Sequence, residues 1–373
     1  MNEAKAARYH RRARRGRALA VAARAGVLVA AAGAGFPPSG LGTALAIAFP
    51  ALPAAAEAPL AGALAALALA CAAEAAALPF MLRVEFALER RYRLSSEPLA
   101  AWLRRHFRTT GLRMLGWAVS AGAVYAMIGL WPQGWWMVAA GGFLVVTVTR
   151  AALAPLLLTP GSRHAPSLRR PALRARIETL ARRAGIPVID VREWRSGPGS
   201  GAANAAVVGI GPSRRILVSK ALLDDYSDDE IEVVIAHELG HHVHRDLWQA
   251  IGCHAVLWLA AFRLADVAMT GPLPGLPAVG DPAGLPVLAL VVGAVFVVSA
   301  PLGRLLSRWH EGRADRFAIA VTGKHEAFVS GLRRLGAQHL AEERPSRLVE
   351  WLFYSHPPVE ARMSAARPVD PKG

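Results

Sequence analysis

Apolar residues gather into six long stretches, at about 18–36, 59–82, 112–131, 135–158, 247–270 and 285–306. Each comes close to the roughly 20 residues a helix needs to cross a bilayer. Between the fourth and fifth stretches the pattern changes. Pro171 can open a helix at its first position, and Leu173, Ile177, Leu180 and Ala184 then recur at helical spacing until Gly185 and Pro187 stop it. Residues 187–194 alternate as a strand does. A Gly-, Ser- and Pro-rich loop to Gly201 separates them from a second strand, Ala205 to Ile210, and the turn Gly211-Pro212-Ser213 leads to a third, Arg215 to Ser219. Ser227-Asp228-Asp229-Glu230 is a capping box, and its acidic first turn suits the positive end of a helix dipole. The pattern therefore predicts a mainly α protein: an N-terminal membrane domain over 1–158 with four spans, then a domain over 159–373 that carries a small β-sheet and is interrupted by two more spans.

Charge decides how these spans are oriented. The 373 residues are 54% hydrophobic and carry a formal net charge of +16. Such a charge could mark a nucleic-acid binder, but the basic residues fall on one side of the predicted topology. The connections 36–58, 132–134 and 271–284 hold no Lys or Arg, whereas 1–17 holds seven and 83–113 holds eight. That is the positive-inside asymmetry; it places the N-terminus and both polar regions in the cytoplasm and argues against nucleic acid as a partner. Arg11, Arg12, Arg14 and Arg15 then anchor the first helix at anionic lipid. A cleaved signal peptide is the rival reading of residues 1–35, since Ala32 and Ala34 follow an apolar run.

Ionisable residues fall in or near the spans, notably Arg24, Glu74, Arg263 and Asp266. Arg263 and Asp266 are spaced to pair on one helix face, whereas Glu74 has no obvious partner and is a candidate to face a water-filled interior. Arg174, Arg176, Arg182 and Arg183 line the polar face of the helix that starts at Pro171, as a solvated face or against lipid headgroups. Cys71 and Cys253 lie in apolar stretches without metal-site or redox spacing, and read as packing residues.

The chemistry is concentrated in His237-Glu238-Leu239-Gly240-His241, on the capped helix. A four-residue step sets two imidazoles on one face, about 6 Å apart along the axis, where both can reach one zinc ion. Glu238, next to a ligand, is placed to hold the attacking water. Zinc lowers the pKa of water it holds from 15.7 toward about 7, so a carboxylate can take its proton at neutral pH. The alternatives are a His-rich solvated patch, or a ligand pair formed by His241 and His244, which leaves Glu238 without a role. A catalytic zinc needs a third protein ligand. Glu311 is the best candidate and His310 the rival; Asp315, one turn later, can orient a zinc-bound imidazole.

These blocks resemble the integral-membrane gluzincins, the family of the type I CAAX prenyl endopeptidases and the bacterial heat-shock membrane protease. The resemblance rests on Ala154-Pro155-Leu156, Asn204-Ala205, Arg215-Ile216-Leu217-Val218 with Leu222-Leu223, Asp229-Glu230-Ile231, the HExxH helix, Glu311 to Ala318, and Ser355-His356-Pro357-Pro358 with Arg362. It implies one Zn2+ held by His237, His241 and Glu311, Glu238 as base, and Asp315 behind a ligand. It further implies Asn204 on the substrate backbone, with His356 and Arg362 touching substrate or the oxyanion. An unpaired strand beginning at Asn204 could also add a substrate peptide as a further strand. The expected protein is a zincin-like endopeptidase in the cell membrane, cutting membrane-associated or misfolded proteins. The alternatives are CAAX-type processing of lipidated peptides, or a non-catalytic zinc-binding scaffold.

Overall fold

In the computed structural model the described residues are 3–36, 41–158, 166–194, 204–208, 214–271, 277–338, 342 and 345–366. The Gly-rich loop to Gly201, the Gly211-Pro212-Ser213 turn and the end of the second strand lie outside them. Helices α1 (Glu3–Gly33), α2 (Leu41–Ala48) and α3 (Ala54–Met81) come first; α3 runs on through a π-helical stretch, Leu82–Leu88, into α4 (Glu89–Arg91). Then follow α5 (Leu99–Leu130), α6 (Trp135–Leu158) and α7 (Pro171–Arg183). Strands β1 (Asp190–Trp194), β2 (Ala205–Val208) and β3 (Arg215–Ser219) precede α8 (Lys220–Asp225), α9 (Asp228–Val243) and α10 (Asp246–Thr270). The chain ends with α11 (Leu285–Thr322), α12 (His325–Gln338), α13 (Arg347–Phe353) and α14 (Val359–Ala365).

Six helices among the described residues are long and apolar enough to cross a membrane, and each overlaps one of the six stretches read from the pattern. Several extend further than expected, among them α1, which starts at Glu3 rather than near 18. α5 starts at Leu99, before the apolar stretch at 112, and α11 continues without a break from its apolar part through the polar block that holds Glu311 and Asp315. α2 falls in a segment expected only to connect.

The chain divides into two compact units, residues 8–145 with 253–298 and residues 1–7, 146–252 and 299–373. In the first, the helical unit, small residues let helices approach. A side chain at Gly62 would begin 2.3 Å from the Tyr125 ring, and one at Gly122 would begin 3.1 Å from the Pro59 carbonyl, so glycine at both positions admits α3 against α5. Glu74 does have a partner: Arg24, 50 residues away, reaches its two oxygens at 3.1 and 3.0 Å. Arg263 and Asp266 pair at 2.7 Å as expected, and the Trp135 indole donates to the other Asp266 oxygen at 2.9 Å.

The second, mixed unit contains the sheet, ordered β1-β3-β2, with β1 parallel and β2 antiparallel to β3. Leu173, Ile177 and Leu180 of α7, Val191 of β1, Ile216 and Val218 of β3, and Ile231, Ile235 and Leu239 of α9 share one core. The α7 helix spans the expected residues and stops where Gly185 takes a φ of 67°. Two of its arginines are held by protein carboxylates. Arg174 meets Glu178 at 2.8 Å and Asp190 at 3.1 Å, and Arg176 meets Asp229 and Glu232 of α9.

Candidate metal centre

The α9 helix has two faces with different tasks. Ile231, Ile235 and Leu239, spaced by four, are fully buried in the core of the mixed unit. His237 and His241 lie two positions out of phase, about 200° around the helix, and so face away from that core. The expected capping box starts the helix: the Glu230 amide donates to Ser227 Oγ at 3.3 Å, and the Ser227 amide donates back to Glu230 Oε2 at 2.8 Å.

Three side chains converge on one point: His237, His241 and Glu311. The two Nε2 atoms are 3.2 Å apart; His237 Nε2 lies 3.4 Å from one Glu311 oxygen, and His241 Nε2 lies 3.7 Å from the other. A tetrahedral first-row ion with bonds of roughly 2.0–2.2 Å keeps its ligand atoms about 3.4 Å from one another, so separations of this order, with Glu311 offering one oxygen to each imidazole, suit such an ion. The outer ring nitrogens agree. His237 Nδ1 lies 2.9 Å from Asp315 and His241 Nδ1 lies 2.8 Å from Asp246. Each carboxylate favours the proton on Nδ1, which leaves both Nε2 lone pairs aimed at the same place and in need of a cation. Burial pushes the His237 imidazole toward its neutral form, but Asp315 and Glu311 outweigh it and raise its pKa to about 9. The field that holds a proton there also favours a metal ion.

Local structure explains how the third donor arrives. A side chain at Gly240 would begin 3.0 Å from the Ala314 backbone and 3.2 Å from the Phe317 ring, so only glycine lets α11 come this close to α9. Glu311 and Asp315, one turn apart on α11, then face His237. At the other end of α9, Arg245 takes a φ of 58°, which breaks the helix and returns Asp246 to His241. Neither Gly240 nor Asp246 was singled out from the sequence. The signal for Asp246 was an acidic residue five positions beyond a candidate ligand, which has meaning only with a left-handed joint between them.

The remaining candidates are placed as follows. Glu238 is partly buried, and burial raises its carboxyl pKa against the opposing pull of His237 and His241. His356 Nδ1 approaches Glu311 at 2.9 Å while the ring as a whole stays exposed. Arg362, expected at substrate or oxyanion, has its guanidinium occupied instead: it donates to both Asp315 oxygens at 2.8 and 2.6 Å and lies 3.6 Å from Glu311. The rival His310 faces Gln249 at 3.1 Å and stands outside the converging trio, and His244 Nδ1 bonds the Gly240 carbonyl at 2.7 Å. Asn204 stands at the start of β2, where its backbone exchanges bonds with Ser219 at 2.8 and 2.9 Å and its side chain is exposed. Arg308 is a further residue not singled out beforehand. It donates to the carbonyls of Glu350 and Tyr354 at 3.1 and 2.6 Å, fixing the end of α13 two residues before His356.

Comparison with known proteins gives the arrangement its context. Residues 167–369 match the model of peptidase family M48. The chain is 26% identical over 281 residues to an uncharacterized metalloprotease, YhfN, of Bacillus subtilis, covering 74% of this chain and 66% of that protein. It is 27% identical over 206 residues to protease HtpX of Actinobacillus pleuropneumoniae, covering 51% of this chain and 70% of that one. In fold it resembles the crystal structure of S. mikatae Ste24p, with a TM-score of 0.70 at 20% identity over 82% of this chain and 75% of that one.

Proposed function

The chain belongs to peptidase family M48, an integral-membrane member of it, and from that premise we propose that it is a zinc endopeptidase. Its substrates are membrane-associated or misfolded proteins, cut at a site that faces the cytoplasm. The observation that carries this reading is the convergence of His237, His241 and Glu311 with edges of 3.2, 3.4 and 3.7 Å, beside the carboxylate of Glu238. When bound, zinc polarises the scissile carbonyl and makes water acidic enough to be deprotonated near neutral pH.

The chain's own groups do the rest. Glu238 takes a proton from the attacking water onto its carboxylate and passes it to the leaving amine nitrogen; the raised pKa that burial gives it suits a group that must hold a proton between two steps. His356, tied through Nδ1 to Glu311, keeps Nε2 on an exposed ring for the oxyanion of the tetrahedral intermediate. Such a donor can be worth about 3 kcal/mol. Arg362 acts one step back, holding Asp315 against His237.

Substrate enters beside β2. Asn204 bonds Ser219 in the ladder, so in antiparallel alternation the backbone groups of Ala205 and Val207 point to the outer edge of β2. The Val207 backbone engages His242, which leaves Ala205 and the Asn204 side chain for an extended peptide. Pairing through backbone tolerates varied sequence, as a quality-control protease requires. The cytoplasmic orientation is supported by the connections 36–58, 132–134 and 271–284, which carry no basic residue.

The test uses the purified full chain in detergent with an unfolded reporter protein. Chelation is expected to stop hydrolysis, and Zn2+ but not Mg2+ to restore it. Hydrolysis that continues after the metal has been removed contradicts the proposal.

A further inference from the structure

We propose that the helical unit binds one anionic phospholipid in a cleft between α1 and the end of α3, its phosphate on Arg12, Arg15 and Arg83 and its acyl chain along Leu19 and Phe80. Three contacts show that these helices run antiparallel. Tyr9 and Tyr92 have ring centroids 5.2 Å apart, a side chain at Gly16 would begin 2.2 Å from Val84, and Arg24 meets Glu74 at 3.0 Å. Gly16 thus lets the helices touch at one point, and a cavity of about 300 Å³ opens beside it, lined by the three arginines and by Leu19, Phe80 and other apolar side chains.

The lining is divided by chemistry. Arg12, Arg15 and Leu19 follow one face of α1 at helical spacing, with both cations toward the chain's N-terminus and the leucine about 6 Å or more further along the span. In the antiparallel partner Phe80 precedes Arg83, so its apolar ring also lies on the side of the span that Leu19 occupies. A site for a free anion would not need this apolar half; a lipid needs both.

Charge is also available for a ligand at the three arginines that line the cleft. Elsewhere on this helix pair Arg24 is neutralised by Glu74, Arg17 lies in the field of Glu89, and Arg90 stacks over Phe86. Among the described residues, no carboxylate pairs with Arg12, Arg15 or Arg83. Three guanidinium groups without a counter-ion at one end of an apolar cleft match a phosphodiester, which guanidinium binds bidentately, at the end of a hydrocarbon chain.

The experiment uses the full chain in mixed micelles, with bound lipid read by native mass spectrometry. The chain is expected to retain one phosphatidylglycerol, at roughly tenfold or greater preference over phosphatidylcholine. Arg12→Gln/Arg15→Gln/Arg83→Gln is expected to lose that preference, while the charge-matched Arg11→Gln/Arg91→Gln/Arg104→Gln keeps it. Equal loss in both triple variants means diffuse attraction and overturns the site. Displacement of the lipid by millimolar inorganic phosphate means a bare anion site and overturns the lipid assignment. Should the first variant misfold, competition between the two lipids on the unaltered chain still decides, because equal retention of both contradicts the proposal.

Discussion

In the helical unit two carboxylates among the spans, Glu74 and Asp266, each find an opposite charge close by. Glu74 takes Arg24 at 3.0 Å with Arg113 at 3.8 Å, and Asp266 takes Arg263 at 2.7 Å. In the mixed unit the carboxylates also have basic partners, Arg362 on Asp315 and Arg313 on Asp246, but Glu311, Asp315 and Asp246 in addition surround two imidazoles, and Glu238 stands beside them. Each of the two pairs in the helical unit is locally complete and needs no further ligand. In the mixed unit, two imidazole nitrogens share one small space with a carboxylate, an arrangement that a cation completes. Charge pairing alone therefore does not mark a functional site; convergence of donors on one point does.

Removing a converging donor is expected to have the largest effect. His241→Ala should abolish metal retention and lower hydrolysis by at least about 10³-fold, with little change in thermal unfolding of the helical unit; metal analysis and a reporter assay check both. If the variant keeps stoichiometric metal, the trio is not the binding site. A smaller effect is expected one step out. Asp246→Asn keeps the shape but weakens the hold on His241 Nδ1, and metal affinity should fall by roughly 10–100-fold. Competition with a chromogenic chelator measures that change, and an unaltered affinity would reduce the Asp246 contact to packing.

The same test applied to the helical unit sharpens the contrast. Glu74→Gln leaves Arg24 without its partner among apolar helices, and should destabilise the protein by about 1–3 kcal/mol while metal content stays at the unaltered level. Unfolding followed in detergent gives the first number and metal analysis the second; loss of metal would show that Glu74 belongs to the site.

These differences explain what could be read beforehand. The six spans, the α7 helix, β3 and the capping box of α9 depend on local periodicity and caps, and the sequence carries those directly. The HExxH spacing put two imidazoles on one face because one helical turn fixes their geometry. Glu311 lies on another helix, and its partnership with His237 depends on Gly240 admitting α11, a contact no periodicity reports. Arg24 and Glu74 each look isolated in their own helix, since a single amphipathic pattern does not say which helix faces it. Asp246 was hidden by the positive φ of Arg245; Arg362 was named, but its contact with Asp315 was hidden by the distance between them along the chain.

The smallest expected effect concerns the scaffold of the mixed unit. Burial pushes the Glu232 carboxyl up, but Lys324 and Arg176 outweigh it and hold its pKa below the ordinary value; Lys324 and Arg176 lower Asp229 as well. Carboxylates depressed in the folded state stabilise it above their ordinary pKa, and that contribution is lost as the pH falls through the folded value. The stability difference between the unaltered chain and Lys324→Met should therefore be largest above pH about 5, at no more than roughly 1 kcal/mol for these partly exposed pairs, and shrink as acid is added. A difference that grows on acidification would contradict the sign.

The central claim rests on Glu238 acting on water beside a metal that other residues hold. The most direct test compares the purified full chain with Glu238→Gln for metal content and for cleavage of an unfolded reporter. One zinc per chain in both proteins, with hydrolysis lost only in the variant, is the result expected; a Glu238→Gln protein that still cleaves at the unaltered rate contradicts the account.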